Sequence, residues 1–241
     1  MSDFVIEARN VTKTYELGEV PVHVLKGVDV QIKRGEFVSI TGPSGSGKTT
    51  LLDVLSGLLR PTRGEILIDG KKISEMDDNA LAHVRGKTIG FVFQSFHLIN
   101  RLTALENVML PLWFQGISEE ERREIAARTL ISVGLGDRLH HRPTELSGGQ
   151  RQRVAIARAL ATDPDVIVAD EPTGNLDSQS GATILNMIDE LNKKEGKTIL
   201  MVTHERYVAE RAERIIHIKD GLIQSSEKVR KTKEKAKGDY K

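Results

Sequence analysis

Residues Phe37-Val38-Ser39-Ile40-Thr41-Gly42-Pro43-Ser44-Gly45-Ser46-Gly47-Lys48-Thr49-Thr50 change character twice. A short apolar run of strand composition gives way to a loop with glycine at 42, 45 and 47, and residues of a helical pattern follow from Lys48. Gly42 to Thr49 matches GxxxxGK[ST] at every fixed position, which residue usage alone would produce in about one chain in a hundred. Its strand, loop, helix order is the context that supports the match. The glycines let backbone N–H groups turn inward around phosphate oxygens, and the helix start adds the positive end of its dipole. Lys48 then reaches the β and γ phosphates, and the Thr49 hydroxyl ligates Mg²⁺. The stretch implies a nucleoside triphosphate without saying which machine uses it.

Upstream, strands are expected at 4–8, 22–25 and 28–32, an antiparallel opening broken by turn residues. Downstream, a helix is expected over 48–59, strands at 65–69 and 89–93, and a short helix at 77–85. From about 95 to 145 the strand pattern disappears. Helices at 104–109 and 118–133 and a Gly/Pro/His-rich connector at 134–143 read as an inserted helical lobe, with Ser118 and Glu121 forming a capping box. Strand and helix then alternate: helices at 148–161, 178–194 and 205–213, strands at 166–169, 198–203 and 215–218. This order predicts an α/β fold with a mainly parallel sheet.

The chain of 241 residues balances 35 Lys and Arg against 34 Asp and Glu, is 39% hydrophobic, and has no cysteine. Disulfides, Cys-based metal sites and thiol catalysis are excluded. The longest apolar run, 198–203, is far short of the ~20 residues of a membrane helix. The start, MSDFVIEARN, lacks a secretory pattern, so the protein is expected to stay where it is made. Seven basic and three acidic residues over 227–241 leave the tail at +4 and the rest at −3. Nucleic acid is therefore not an expected partner. The tail, 226–241, is expected to be disordered, and the competing role is weak attachment to an anionic membrane surface.

Val166-Ile167-Val168-Ala169-Asp170-Glu171 delivers two carboxylates to the carboxyl edge of a buried strand, where ligands bind in such sheets. Adjacent strand residues point opposite ways, so Asp170 is read toward a metal shell and Glu171 toward a water; a capping role for Glu171 is the alternative. Leu146-Ser147-Gly148-Gly149-Gln150 precedes another helix. Ser147 can cap it, and its first-turn N–H groups form a second anion site.

Taken together, these motifs make the chain resemble the ATP-binding subunits of ABC transporters over 4–224. The family's order is followed by Tyr15, the P-loop, Gln94, the LSGGQ signature, Asp170 and Glu171, Asn175-Leu176-Asp177, and His204. The stretches 91–99 and 102–108 look most like the group containing LolD, MacB and FtsE. The resemblance implies a P-loop NTPase (RecA-like) core with an antiparallel β subdomain and an inserted α-helical subdomain, all within 1–225. It also implies an ATP-binding and hydrolysing subunit, with ATP and Mg²⁺ as cofactors, that serves lipoprotein release or macrolide efflux. The alternative is a cell-division or regulatory ATPase without transport.

By the same resemblance Tyr15 stacks on adenine, with a strand-core aromatic as the competing reading. Gly42, Pro43, Ser44, Gly45, Ser46, Gly47, Lys48, Thr49 and Thr50 hold the phosphates. Asp170, Thr49 and Gln94 serve the metal. Glu171 acts as general base, assisted by His204, Lys48 and Gln94. Ser147, Gly148, Gly149 and Gln150 face ATP bound to a second copy. The expected partners are that second copy, in an ATP-dependent homodimer, and integral membrane permease subunits. The place of work is cytoplasmic, peripheral on the inner face of the membrane. Phe96, Leu98, Ile99 and Leu102 are expected to include the surface that meets a permease helix.

Overall fold

The computed structural model describes residues 3–17 and 20–229; most of the expected tail lies outside them. Two sheets organise the chain. The first is antiparallel, in the order β2-β1-β4-β5, from β1 (Phe4–Leu17), β2 (Val20–Lys33), β4 (Arg63–Ile68) and β5 (Lys71–Lys72). The second runs β10-β9-β3-β8-β7-β6, from β3 (Phe37–Thr41), β6 (Ile89–Phe93), β7 (Val166–Asp170), β8 (Thr198–Val202), β9 (Arg214–Lys219) and β10 (Leu222–Lys228). Its ladders are parallel except β9–β10. The helices are α1 (Lys48–Leu55), α2 (Asp78–Thr88), α3 (Ala104–Phe114), α4 (Glu119–Ser132), α5 (Gly148–Leu160), α6 (Ser178–Lys193) and α7 (Arg206–Ala209).

Strand alternation divides the core in two. Val38, Ile40, Val166, Val168, Leu200 and Val202 face α1 and the antiparallel sheet, while Ile167, Ala169, Ile199 and Met201 face α5, α6 and the helical lobe. Both faces of the central strands are therefore covered, which is why they read as unbroken apolar runs.

Several elements depart from their expected bounds. β1 has 14 residues where five were expected, and β2 joins two expected segments into one strand, because bulges absorb irregular positions: Asn10 sits at φ +47, its N–H donating to Asp29 Oδ1 at 2.9 Å. α1 stops four residues early. Gly57, at φ +70, closes it with paired bonds from Gly57 N to Val54 O (3.2 Å) and Leu58 N to Asp53 O (2.8 Å). α3 runs past its expected end through Pro111. α7 has only four residues, since the chain must turn to bond Glu213 N to Phe37 O (2.8 Å). At α4, Ser118 Oγ accepts from Glu121 N at 3.4 Å, whereas reciprocal boxes close the starts of α3 (Thr103, Glu106) and α5 (Ser147, Gln150). β10 was not expected as a strand, and the boundary at 225 falls inside it.

Candidate functional site

Four parallel strands end side by side, and each releases a different functional group. In the order β3-β8-β7-β6, β3 runs into the loop at Gly42, β8 leads to His204, β7 ends on Asp170, and β6 is followed by Gln94. Cα registers align Ile40 with Val202, Val202 with Asp170, and Asp170 with Phe93. A row of strand ends is what permits residues over a hundred positions apart to share one edge.

At the P-loop, Lys48 Nζ donates to the carbonyls of Gly42 (3.0 Å) and Pro43 (2.8 Å). α1 starts at Gly47 without a side-chain cap, while α2 to α6 each receive a side-chain oxygen. Its first N–H groups have no intrahelical acceptor, a start suited to an anion. The loop is braced by a hairpin turn, Asp220-Gly221, joining β9 and β10. Gly221 N donates to Ser46 O (3.1 Å), and Gly221 O accepts from Lys26 N (3.0 Å). A Cβ on Gly221 would lie 2.3 Å from Val24 O, so no larger residue fits. Asp-Gly between two apolar runs is a hairpin signal that could have revealed this brace in the sequence.

Beside the loop, burial pushes the Asp170 carboxyl up to about 6; Glu171 and Asp53 add to the shift, and Lys48 opposes it. Burial likewise raises Asp53. Glu171 takes a left-handed backbone, φ +44, held by Glu171 N to Val202 O (3.0 Å) and Gly174 N to Glu171 O (3.1 Å). Such a conformation costs about 1–3 kcal/mol in a residue with a side chain and persists only where its surroundings enforce it. Here it breaks the strand alternation and brings Glu171 Oε1 within 2.9 Å of His204 Nδ1.

The structure thus gathers Lys48, Asp170, Glu171 and His204. The Gln94 amide lies over Gly174, and its backbone oxygen accepts from Asn175 Nδ2 at 3.0 Å. Ser147 Oγ accepts from Gln150 N (3.3 Å), and Gln150 Oε1 accepts from Ser147 N (2.9 Å). The Gln150 amide oxygen is therefore engaged in capping, while the N–H groups of Gly148 and Gly149 keep no intrahelical acceptor. This helix start packs on the start of α6: a Cβ on Gly149 would lie 2.7 Å from Ser180 Oγ. Tyr15 pairs with Val22 in the β1–β2 ladder, and Lys13 Nζ lies 5.2 Å from its ring centre.

Among the described residues, no cluster of three His, Cys, Asp or Glu side chains could hold a metal alone. The Asp170 carboxylate and Thr49 hydroxyl are hard oxygen donors of the sort Mg²⁺ takes alongside water and phosphate. Burial first, and then the neighbouring Glu171 and Asp53 carboxylates, disfavour the Asp170 charge; a cation would offset both, so the residues fit the ion.

Because the folded pKa of Asp170 lies above the unfolded one, its contribution favours folding below about pH 4 and is lost as pH rises through about 6. Asp170→Asn is expected to stabilise the nucleotide-free protein at pH 7.5. Discounted for solvent reaching a half-buried group, the gain is about 1 kcal/mol, or about 2–4 °C in Tm. Thermal melts should show it shrinking toward pH 5.

The residues expected to include the surface that meets a permease helix are open in part. Leu98 packs into the lobe's core, the Phe96 ring lies 5.1 Å from the Arg151 guanidinium, and only Ile99 of the four is well exposed. Buried Asn107 pins the loop, its Oδ1 accepting from Ile99 N (2.8 Å) and its Nδ2 donating to Thr103 O (2.9 Å). A groove of about 330 Å³ also opens beside β6, lined by Phe91, Phe93, His97, Pro111, Phe114 and Ala159 among others. Phe114 (80%) is exposed there, and its ring centre lies 5.2 Å from that of Trp113 (59%), which is exposed as well.

Residues 25–174 match the family model described as ABC transporter. An uncharacterized ABC transporter ATP-binding protein of Thermotoga maritima is 54% identical, over 93% of this chain and 95% of its own length. The macrolide export ATP-binding/permease protein MacB of Hyphomonas neptunium is 49% identical over 92% of this chain, which spans 34% of MacB. Among solved structures, the dimeric post-hydrolysis state of the ATP-binding cassette MJ0796 bound to ADP and Pi superposes with a TM-score of 0.87 at 50% identity, covering 94% of this chain and all of that one.

Proposed function

The chain belongs to the family of ABC transporter ATP-binding proteins, and on that premise we propose that it hydrolyses Mg²⁺-ATP in a head-to-tail homodimer and so drives membrane permease subunits of the lipoprotein-release or macrolide-efflux type. The observation that carries the chemistry is the Glu171–His204 contact, 2.9 Å, at the strand edge beside the P-loop. A water held there loses its proton to the Glu171 carboxylate as its oxygen attacks the γ phosphorus. The bond to the bridging oxygen breaks, and ADP carries away the charge. An N–H at His204 Nδ1 donates to Glu171 and keeps the acceptor oriented. Lys48 and the uncapped N–H groups of α1 balance the charge that develops on the phosphoryl oxygens. Thr49, Asp170 and Gln94 would hold Mg²⁺, which would supply neutralisation of the phosphate charge.

In the proposed dimer, Ser147, Gly148 and Gly149 present their N–H groups to ATP on the opposite copy, so closure completes each site and hydrolysis releases it. Dimeric MJ0796 cassettes and the ATPase–permease architecture of MacB support this reading. Among the described residues no helix is long and apolar enough to cross a membrane. On the family's reading the protein works at the cytoplasmic face of the membrane through a partner, and the groove beside β6 receives a cytoplasmic helix of that partner.

Two measurements test this. Purified protein should hydrolyse ATP only with a divalent ion, and EDTA should abolish turnover. Because the chain contains no cysteine, single cysteines at His97 and Phe114 report unambiguously; they should crosslink to the permease, and a cysteine at Leu98 should not. Crosslinking at Leu98 alone would move the docking surface.

A further inference from the structure

We propose that Gln152, in the second turn of α5, is a positioning residue for hydrolysis that brackets the loops carrying Gln94 and Glu171. The inference rests on the reading above, in which those two residues flank the attacking water. Gln152 is fully buried. Its Nε2 donates to Pro172 O at 2.8 Å and reaches Phe93 O at 3.4 Å. Pro172 follows Glu171, and Phe93 precedes Gln94. A single amide thus ties together the backbone on either side of the candidate catalytic pair.

The remaining atom of the amide says what the residue is for. Gln152 Oε1 is buried without a hydrogen-bond partner, and an unpaired buried acceptor is a net cost to folding. An apolar side chain of similar shape would remove that acceptor but leave the Pro172 carbonyl without its donor. What the amide supplies is two N–H groups on one nitrogen, able to face two carbonyls from different loops at once.

The same helix steadies the turn beyond Gln94. Phe96 and His97 both have left-handed backbones (φ +60 and +49), and the Arg158 guanidinium donates to both of their carbonyls. α5 is thus the frame against which the Gln94 loop is set, and through Gln152 it reaches the Glu171 loop as well. Losing the bracket lets the two loops drift apart. Misplacement of about 1 Å at a reacting centre costs on the order of 10²-fold in rate, while Lys48 and the P-loop, which Gln152 does not touch in these contacts, still bind the nucleotide.

The test uses the full chain with Gln152→Met, which keeps the shape and loses both donors, and Gln152→Glu, whose buried carboxyl is held protonated and keeps one O–H donor for the two carbonyls. Steady-state kinetics with Mg²⁺-ATP and thermal melts are run on each, with Glu171→Gln alongside. Gln152→Met is expected to keep its fold and a KM within about twofold of native, with kcat about 10- to 100-fold lower; Gln152→Glu, with one donor left, should fall between Gln152→Met and native. Native kcat in Gln152→Met, a loss that falls on KM, or failure of the Met variant to fold would each overturn the proposal. If Glu171→Gln itself turns over at the native rate, the underlying reading of Glu171 has failed. If Glu171→Gln is inactive and Gln152→Met is native, only the bracket has failed.

Discussion

Glu171→Gln is expected to leave ATP binding intact, to lower hydrolysis by about 10²–10⁴-fold, and to convert a nucleotide-free monomer into a stable ATP-dependent dimer. The amide preserves the size of the side chain and an oxygen for the His204 contact, which spans 2.9 Å in the native protein. It cannot take the proton of the attacking water, so the loss falls on the chemical step. The substitution also removes one negative charge per subunit from an interface crowded with phosphates, which favours closure. Size-exclusion chromatography with light scattering, with and without ATP, checks the prediction. Adding Ser147→Arg should dissolve the trapped dimer, because the guanidinium would fill the space where the opposite nucleotide meets the start of α5. Native turnover in Glu171→Gln would rule out the general base, and a monomer at saturating ATP would rule out the sandwich.

Lys48→Ala should produce the other large effect, at an earlier step. The Lys48 ammonium is anchored by the Gly42 and Pro43 carbonyls and supplies the P-loop's side-chain positive charge. Its removal takes away binding to the β and γ phosphates and the charge that balances the transition state. A fall of about 10²–10³-fold in turnover is expected from loss of one such group, with a weakened ATP Kd, so that no dimer is trapped even when Glu171→Gln is present. Nucleotide titration followed by fluorescence, together with phosphate release, separates this pattern from that of Glu171→Gln alone. The fold should survive, since Lys48 is partly exposed and its bonds are local to the loop.

Local chemistry is enough to read the P-loop, the acidic strand end, the signature and His204. Each is a short segment whose proposed role depends on residues close together in the chain: glycines around Lys48, a capping serine before Gly148, an apolar run ending in Asp170. The alternation of strands and helices likewise makes the parallel core legible, because its strands are buried on both faces and carry no internal breaks. Bulges and early stops are less visible. Asn10 looks like the end of a strand but is accommodated by a cross-strand bond to Asp29, and Gly57 ends α1 within an apolar stretch that continues to Leu59. The left-handed backbone of Glu171 depends on Val202, a residue of another strand. The bracket at Gln152 joins three segments that are 59 and 20 positions apart, and the Asp220-Gly221 turn supports a loop 175 residues earlier in the chain. Motif residues are specified by their neighbours in sequence, whereas the groups that aim them are specified by contacts that exist only after the sheets have packed.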